Sequence, residues 1–240
     1  MATEKALALV IRGTDWSETS RITTLFTREF GKVRALAKGG RRVHSQFEIA
    51  FDLLTVCHIV FIRKDHGGLD ILTEARMEER FPILRNDLNA LYAGYYVAEL
   101  LTDGTQDYDP HPPLFEAALA TLRELGEAGK SAADAVTAFE LVWLKELGYS
   151  LRLDVCTGCG KAVPGGVPRV WFSPAAGGVV CTPCSPTQPD RRPLSGDALK
   201  ALAGGGLAGP VRAELRAVLG QVVSYVLGRR PRMHRFLDAR

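Results

Sequence analysis

The chain has no apolar run approaching the roughly 18 residues that a membrane-spanning helix needs, and no Walker-type or Rossmann-type glycine motif. These gaps exclude a helical membrane anchor and the common nucleotide-binding folds. The opening MATEKALALVIRG lacks the long apolar stretch after a basic start that a secretion signal requires, so a soluble, cytoplasmic protein with reduced thiols is expected. Histidine is sparse. His44, His58, His66, His111 and His234 are scattered, and no pair has metal-site spacing. Clustered carboxylates and an open metal position are also missing, which argues against a metal-dependent nuclease or another enzyme.

Cysteine is scarce too, but four of the five fall into two Cys-x-x-Cys hooks, Cys156/Cys159 and Cys181/Cys184. Two hooks supply four thiolates, the tetrahedral sulfur set that Zn²⁺ prefers. Gly158, Gly160 and Pro183 allow the tight turns that aim backbone amides at sulfur, and 21 residues separate the hooks. Four thiolates leave no position for water or substrate, so one structural zinc is expected. A redox dithiol would need a βαβ surround, which is lacking near residue 156. A disulfide pair would need an oxidising compartment. Cys57, within LLTVCHIVFI, reads as a core residue.

The net charge of +3 hides an uneven distribution. Residues 1–80 carry 13 basic against 11 acidic side chains, 81–150 carry 4 against 11, and 151–240 carry 13 against 5. A basic head and tail around an acidic middle suggest separate surfaces for a polyanion and for other partners.

The first third reads as strands: Ala6 to Arg12, Arg21 to Thr27, Gly31 to Lys38, Leu53 to Arg63 and Leu69 to Ala75. Short strands without helical crossovers favour an antiparallel barrel of the OB type. In Gly31 to Lys38, Val33, Ala35 and Ala37 alternate with Lys32, Arg34, Leu36 and Lys38. Arg28, Lys32, Arg34, Lys38, Arg41, Arg42 and His44, opposed by Glu29, form a basic segment suited to phosphates. Phe47 and Trp16 are stacking candidates. The bland alternative is an edge strand kept soluble by its lysines.

Helices are expected over Pro82 to Leu101, about 113–126, and from the Ser131/Asp134 capping box to Gly148. Tyr92, Tyr95, Tyr96, Phe139 and Trp143 read as core. Ser195 to Ala203 and Pro210 to Leu227 are helical, and the tail adds Arg229, Arg230, Arg232 and Arg235. That tail is either a phosphate-binding arm or a charge cluster matched to a helix end. The expected class is α+β and multidomain. The expected partition is an OB-fold DNA-binding domain over 1–80, a helical bundle over 81–150, a four-cysteine zinc module over 151–190, and C-terminal helices over 191–240 that pack with the bundle.

Several segments also resemble a known family. ALVIRGTDWSETSRITTLFTREFGKVRALAKGGRRVHS, FELVWLKELGYSLRLDVCTGCGK and FSPAAGGVVCTPC are similar to the N-terminal signature, the zinc junction and the second hook of the bacterial RecO family of recombination and repair mediators. The tail HRFLDAR resembles its basic end without the lysine-serine often found there. Some members of that family lack the cysteines; this chain keeps all four. The resemblance implies an OB-fold, a helical domain and a zinc module. It also implies binding of single- and double-stranded DNA, annealing of complementary strands, and action with RecR to load RecA onto DNA coated by the single-stranded-DNA-binding protein. The rival reading is a zinc-stabilised interaction scaffold that does not itself bind DNA.

Overall fold

In the computed structural model, residues 2–40, 52–64, 68–127, 129–204 and 209–237 are described. The chain divides into two compact units, Met1–Ala128 and Gly129–Arg240.

The first unit is built on five strands: β1 (Ala2–Asp15), β2 (Arg21–Thr27), β3 (Gly31–Ala37), β4 (Val56–Arg63) and β5 (Asp70–Glu79). They close into a barrel of order β1-β2-β3-β5-β4, with β3 and β5 parallel and the other pairs antiparallel. This is the five-stranded architecture expected of an OB-fold. Closure depends on the length of β1, whose first half pairs with β4 and whose second half pairs with β2. Ala6, Ala8 and Val10 point into the barrel with Val33, Ala35, Cys57, Ile59 and Phe61. A β-bulge between Val10 and Arg12 then inserts one residue, so Arg12 and Thr14 face outward although they share the parity of the core residues.

The sequence pattern starts the fourth strand at Leu53. Instead Leu54 takes a left-handed φ of 64°, and its N–H donates to the Val10 carbonyl at 2.9 Å. Its side chain fills a notch over Gly94, where an added Cβ would come within 2.7 Å of it.

The expected helix from Pro82 to Leu101 is divided. Pro82–Asn86 is a 3₁₀ turn, and α1 (Leu88–Gly104) starts afresh because Asp87 Oδ1 accepts from the N–H of Asn89 at 2.8 Å. α2 (Pro112–Glu124) follows. Both helices belong to the barrel's unit, so the anticipated 81–150 segment is split between the two units. The contacts explain why. Phe26, on the outer side of β2, meets Phe115 of α2 with ring centroids 6.3 Å apart. Gly31, at φ 68°, lies so close to the Asp109 carbonyl that no Cβ fits between them.

In the second unit α3 (Ala132–Glu146) is capped by Ser131, whose Oγ accepts from the Asp134 N–H at 3.4 Å. A three-stranded sheet follows, with β6 (Arg169–Ser173) between β7 (Gly178–Val180) and β8 (Arg192–Ser195). α4 (Gly196–Gly204), α5 (Arg212–Leu227) and the short α6 (His234–Leu237) complete it. Phe139 and Trp143 of α3 are buried, and Arg216 of α5 reaches the fully buried Glu140 at 2.8 Å. Tyr96 is buried in the first unit, whereas Tyr92 and Tyr95 are half-buried. Among the described residues no helix is long and apolar enough to cross a membrane.

Candidate metal centre and nucleic-acid surface

The four hook sulfurs converge. Their ligand atoms all lie within 4.8 Å of one another, and Cys159 Sγ stands 3.8 Å from Cys181 Sγ. A tetrahedron with Zn–S bonds of about 2.3 Å has edges of about 3.8 Å, whereas a disulfide needs about 2.05 Å. Backbone hydrogen bonds bring the two arms together: Arg152 N–H to Gly177 O, Val179 N–H to Arg152 O and Thr157 N–H to Val179 O, all 2.9–3.0 Å. Gly158 packs tightly against the second hook: a Cβ there would lie 3.1 Å from Cys184 Cβ and 3.4 Å from its sulfur.

The titration behaviour fits a cation site. Burial opposes the charged form of Cys156, but N–H groups of Cys181, Cys159 and Gly158 aim at its sulfur and bring the thiol down to about 6. Cys184 moves the other way, up to about 12, as it shares protons first with Cys181 and then with Cys159. Four thiols this close cannot all ionise without a cation among them. The donor set therefore suits a metal that takes four thiolates, and Cys156, Cys159, Cys181 and Cys184 would hold it. Cys57 sits apart in the barrel core, where burial pushes its thiol up to about 12.

The basic residues fare unequally. Arg34 is exposed on the outer side of β3, as the alternation predicts, and Lys38 is exposed in the turn that follows the strand. Lys32 points to the same side but is covered: its side chain is 12% exposed, and its Nζ donates to the carbonyls of Thr102 at 2.8 Å and Thr105 at 2.6 Å. Asp107 lies 3.6 Å away. Arg28 is exposed and paired with Glu116 of α2 at 2.9 Å. Arg41, Arg42, His44 and Phe47 lie outside the described residues. Trp16, in the β1–β2 connection, is 64% exposed. In the tail Arg229, Arg230, Arg232 and Arg235 are all exposed; Arg230 Nη2 lies 3.1 Å from His234 Nδ1, and Arg235 stacks on Phe236.

The sequence pattern does not single out Arg12. The registers set it opposite Thr24 and Thr24 opposite Arg34, which makes one outward row across three strands. Under a strict period of two, Arg12 would share the buried side of Ala8 and Val10. Only the bulge turns it out, and nothing in the local composition announces a bulge. Arg12, Thr14, Ile22, Thr24 and Arg34 form one wall of a groove of about 420 Å³, and Thr102, Asp103 and Asp107 form the other.

Comparison with known proteins places both halves of the chain together. Residues 1–81 match the family described as recombination protein O N terminal, and residues 85–235 match recombination protein O C terminal. The chain is 42% identical over 196 residues to a DNA repair protein RecO of Rhodopirellula baltica, covering 82% of this chain and 72% of that protein. It is 35% identical over 245 residues to a DNA repair protein RecO of Anaeromyxobacter sp. strain K, covering 98% and 95% respectively. A protein of the same description from Roseiflexus sp. strain RS-1 is 32% identical over 242 residues, covering 96% of this chain and 83% of that protein.

Proposed function

We propose that this chain, which belongs to the recombination protein O family, is a mediator of DNA repair and homologous recombination. It binds single- and double-stranded DNA, anneals complementary strands and, with RecR, promotes RecA loading onto DNA coated by the single-stranded-DNA-binding protein. It acts in the cytoplasm, at the nucleoid, and is not an enzyme.

The observation that carries this reading is the outward cationic side of β3. Arg34 is exposed there, Lys38 is exposed just past the end of the strand, and the sequence continues into Arg41, Arg42 and His44. Positive side chains spaced along a strand displace condensed counterions from DNA, which gives affinity without base specificity. Holding two strands on such a surface screens their mutual repulsion, and annealing follows. Arg28 can join by exchanging Glu116 for a phosphate, since an exposed ion pair contributes little. Arg229, Arg230, Arg232 and Arg235 supply a second basic element. One Zn²⁺ on Cys156, Cys159, Cys181 and Cys184 braces the 151–190 module. With four thiolates it has no open position for chemistry.

The test is annealing of complementary oligonucleotides by the native protein and by a Lys38→Ala/Arg41→Ala/Arg42→Ala triple variant. The native protein should anneal quickly. The triple should bind more weakly across sequences, and its log–log salt slope on single strands should fall by about 2, or about 0.7 for each lost phosphate contact. An unchanged slope removes these residues from the DNA surface. The second reading, a scaffold that depends on partners for DNA contact, draws on the engagement of Lys32 and Arg28 inside the first unit. A folded, zinc-loaded native protein with no DNA affinity would favour it.

A further inference from the structure

The four hook cysteines are not equivalent. Cys156 is buried, and its sulfur accepts the N–H of Cys181 at 3.3 Å. Cys181 and Cys184 are half-buried, whereas Cys159 is exposed. Gly158 and Gly160 flank Cys159, so neither chain neighbour has a side chain to shield it. A Cβ placed on Gly160 would meet nothing within 4 Å. Across the gap between the hooks, Cys181 Sγ stands 3.8 Å from Cys159 Sγ.

The thiolate is the reactive form of cysteine, and a thiol that ligates a metal is held as thiolate. Oxidation then selects the sulfur that is open to solvent and has a second cysteine beside it to resolve the product. Cys159 meets both conditions and Cys181 is the resolving partner. Cys156 fails the first, because its sulfur is buried and held by an N–H donor.

We propose that Cys159 and Cys181 are an oxidative modification site, at which hydrogen peroxide joins the two hooks by a disulfide. This rests on the zinc reading above. The Cys159 thiolate attacks one peroxide oxygen and the O–O bond breaks. The hydroxide that departs takes a proton from solvent and becomes water, and Cys159 is left as a sulfenic acid. The Cys181 thiolate attacks that sulfur, an S–S bond forms and the S–O bond breaks. A second hydroxide leaves and is protonated to water. Two thiolates lose two electrons in total, and one peroxide is reduced to two waters. The sulfurs close from 3.8 Å to about 2.05 Å, a movement small enough for side-chain rotation at one exposed and one half-buried residue.

Two thiolates, Cys156 and Cys184, then remain, which is half of the set that holds zinc. The metal leaves, but the new bond spans the same two arms that the metal bridged. It closes the 21 residues between Cys159 and Cys181 into a covalent loop. A disulfide inside either hook would release the metal and leave the arms untied. The choice of partner across the hooks therefore decides whether the module survives oxidation.

The experiment treats the full-length, zinc-loaded protein with hydrogen peroxide. A coloured chelator reads released zinc, free thiols are counted, and peptides are mapped without reduction. One zinc should be lost per chain together with two of the five thiols, and the map should join Cys159 to Cys181. Cys57, buried in the barrel, should stay free and serves as the internal reference. The amides of Arg152, Thr157 and Val179 should keep their protection in the oxidised protein and lose it in reduced protein stripped of metal by a chelator. A dithiol reductant with added zinc should restore the starting state. A cross-link within either hook overturns the proposal. So does oxidation of Cys159 without any cross-link, or zinc-loaded protein whose thiols resist peroxide. Native protein that carries no metal overturns the zinc reading itself and the proposal with it, an outcome distinct from zinc-loaded protein that cross-links elsewhere.

Discussion

Lys32 donates to the carbonyls of Thr102 and Thr105, so its charge lies at the C-terminal end of α1, where unpaired helix carbonyls make the local potential negative. The pattern of β3 sets this side chain outward correctly, but a single strand's pattern says nothing about what lies over it. The helix that covers Lys32 begins more than fifty residues later in the chain. Lys32→Ala should therefore cost stability, about 1–3 kcal/mol for leaving two partly buried carbonyls without their donor. The DNA salt slope should stay unchanged, whereas Arg34→Ala should lower that slope and leave stability nearly intact. Chemical denaturation and binding titrations on the two variants separate these roles. Equal loss of salt dependence in both would return Lys32 to the DNA surface.

At the scale of elements, α3 and α5 are joined by two ion pairs of different character. Arg212 meets Asp134 with both carboxylate oxygens engaged, at 2.7 and 2.8 Å, and remains partly exposed. Arg216 and Glu140 form a buried pair, with side-chain exposures of 9% and 0%. Removing one partner of such a pair strands a buried charge, so Glu140→Ala should cost about 3–5 kcal/mol. Replacing both with leucine should be far less costly, and urea unfolding of the single and double variants reads the difference. Punctuation made the helices legible: Ser131 before α3, Gly148 after it, and Gly228 at φ 67° closing α5. The cap at Asp87 is just as local but is hidden by Pro82, which also looks like a helix start and opens only a 3₁₀ turn. The strands around the hooks were not legible. Each of β6, β7 and β8 has three to five residues, too few to show a period. Their pairing defines them instead: β6 is laddered to β7 on one edge and to β8 on the other.

At the scale of the whole molecule, the cysteines act far beyond their own residues. The first hook and the second are separated by 21 residues that include β6 and β7, so a metal bridging them closes that segment into a loop. The native protein should contain one zinc per chain. Removing it with a chelator, or by Cys156→Ser, should expose the amides of Arg152, Thr157 and Val179 to hydrogen exchange, because those bonds join the two arms. Barrel amides such as that of Val10 should keep their protection. Acid should act like the chelator, since protons compete with metal for all four sulfurs. Unaltered exchange in a metal-free protein would show that the arms stand without it.

The bulge between Val10 and Arg12 has a consequence for how the chain tolerates change. It works as a phase shift: upstream of it even-numbered residues face the interior, and downstream of it even-numbered residues face solvent. Ile11 is the extra residue, because Val10 and Arg12 oppose the neighbours Leu25 and Thr24. Deleting it would straighten the strand and leave Arg12 facing solvent, whereas straightening the strand with Ile11 still in it would reverse the polarity of the rest of β1 and carry a guanidinium into the barrel. The chain can therefore shorten by one residue at this place without turning its barrel inside out.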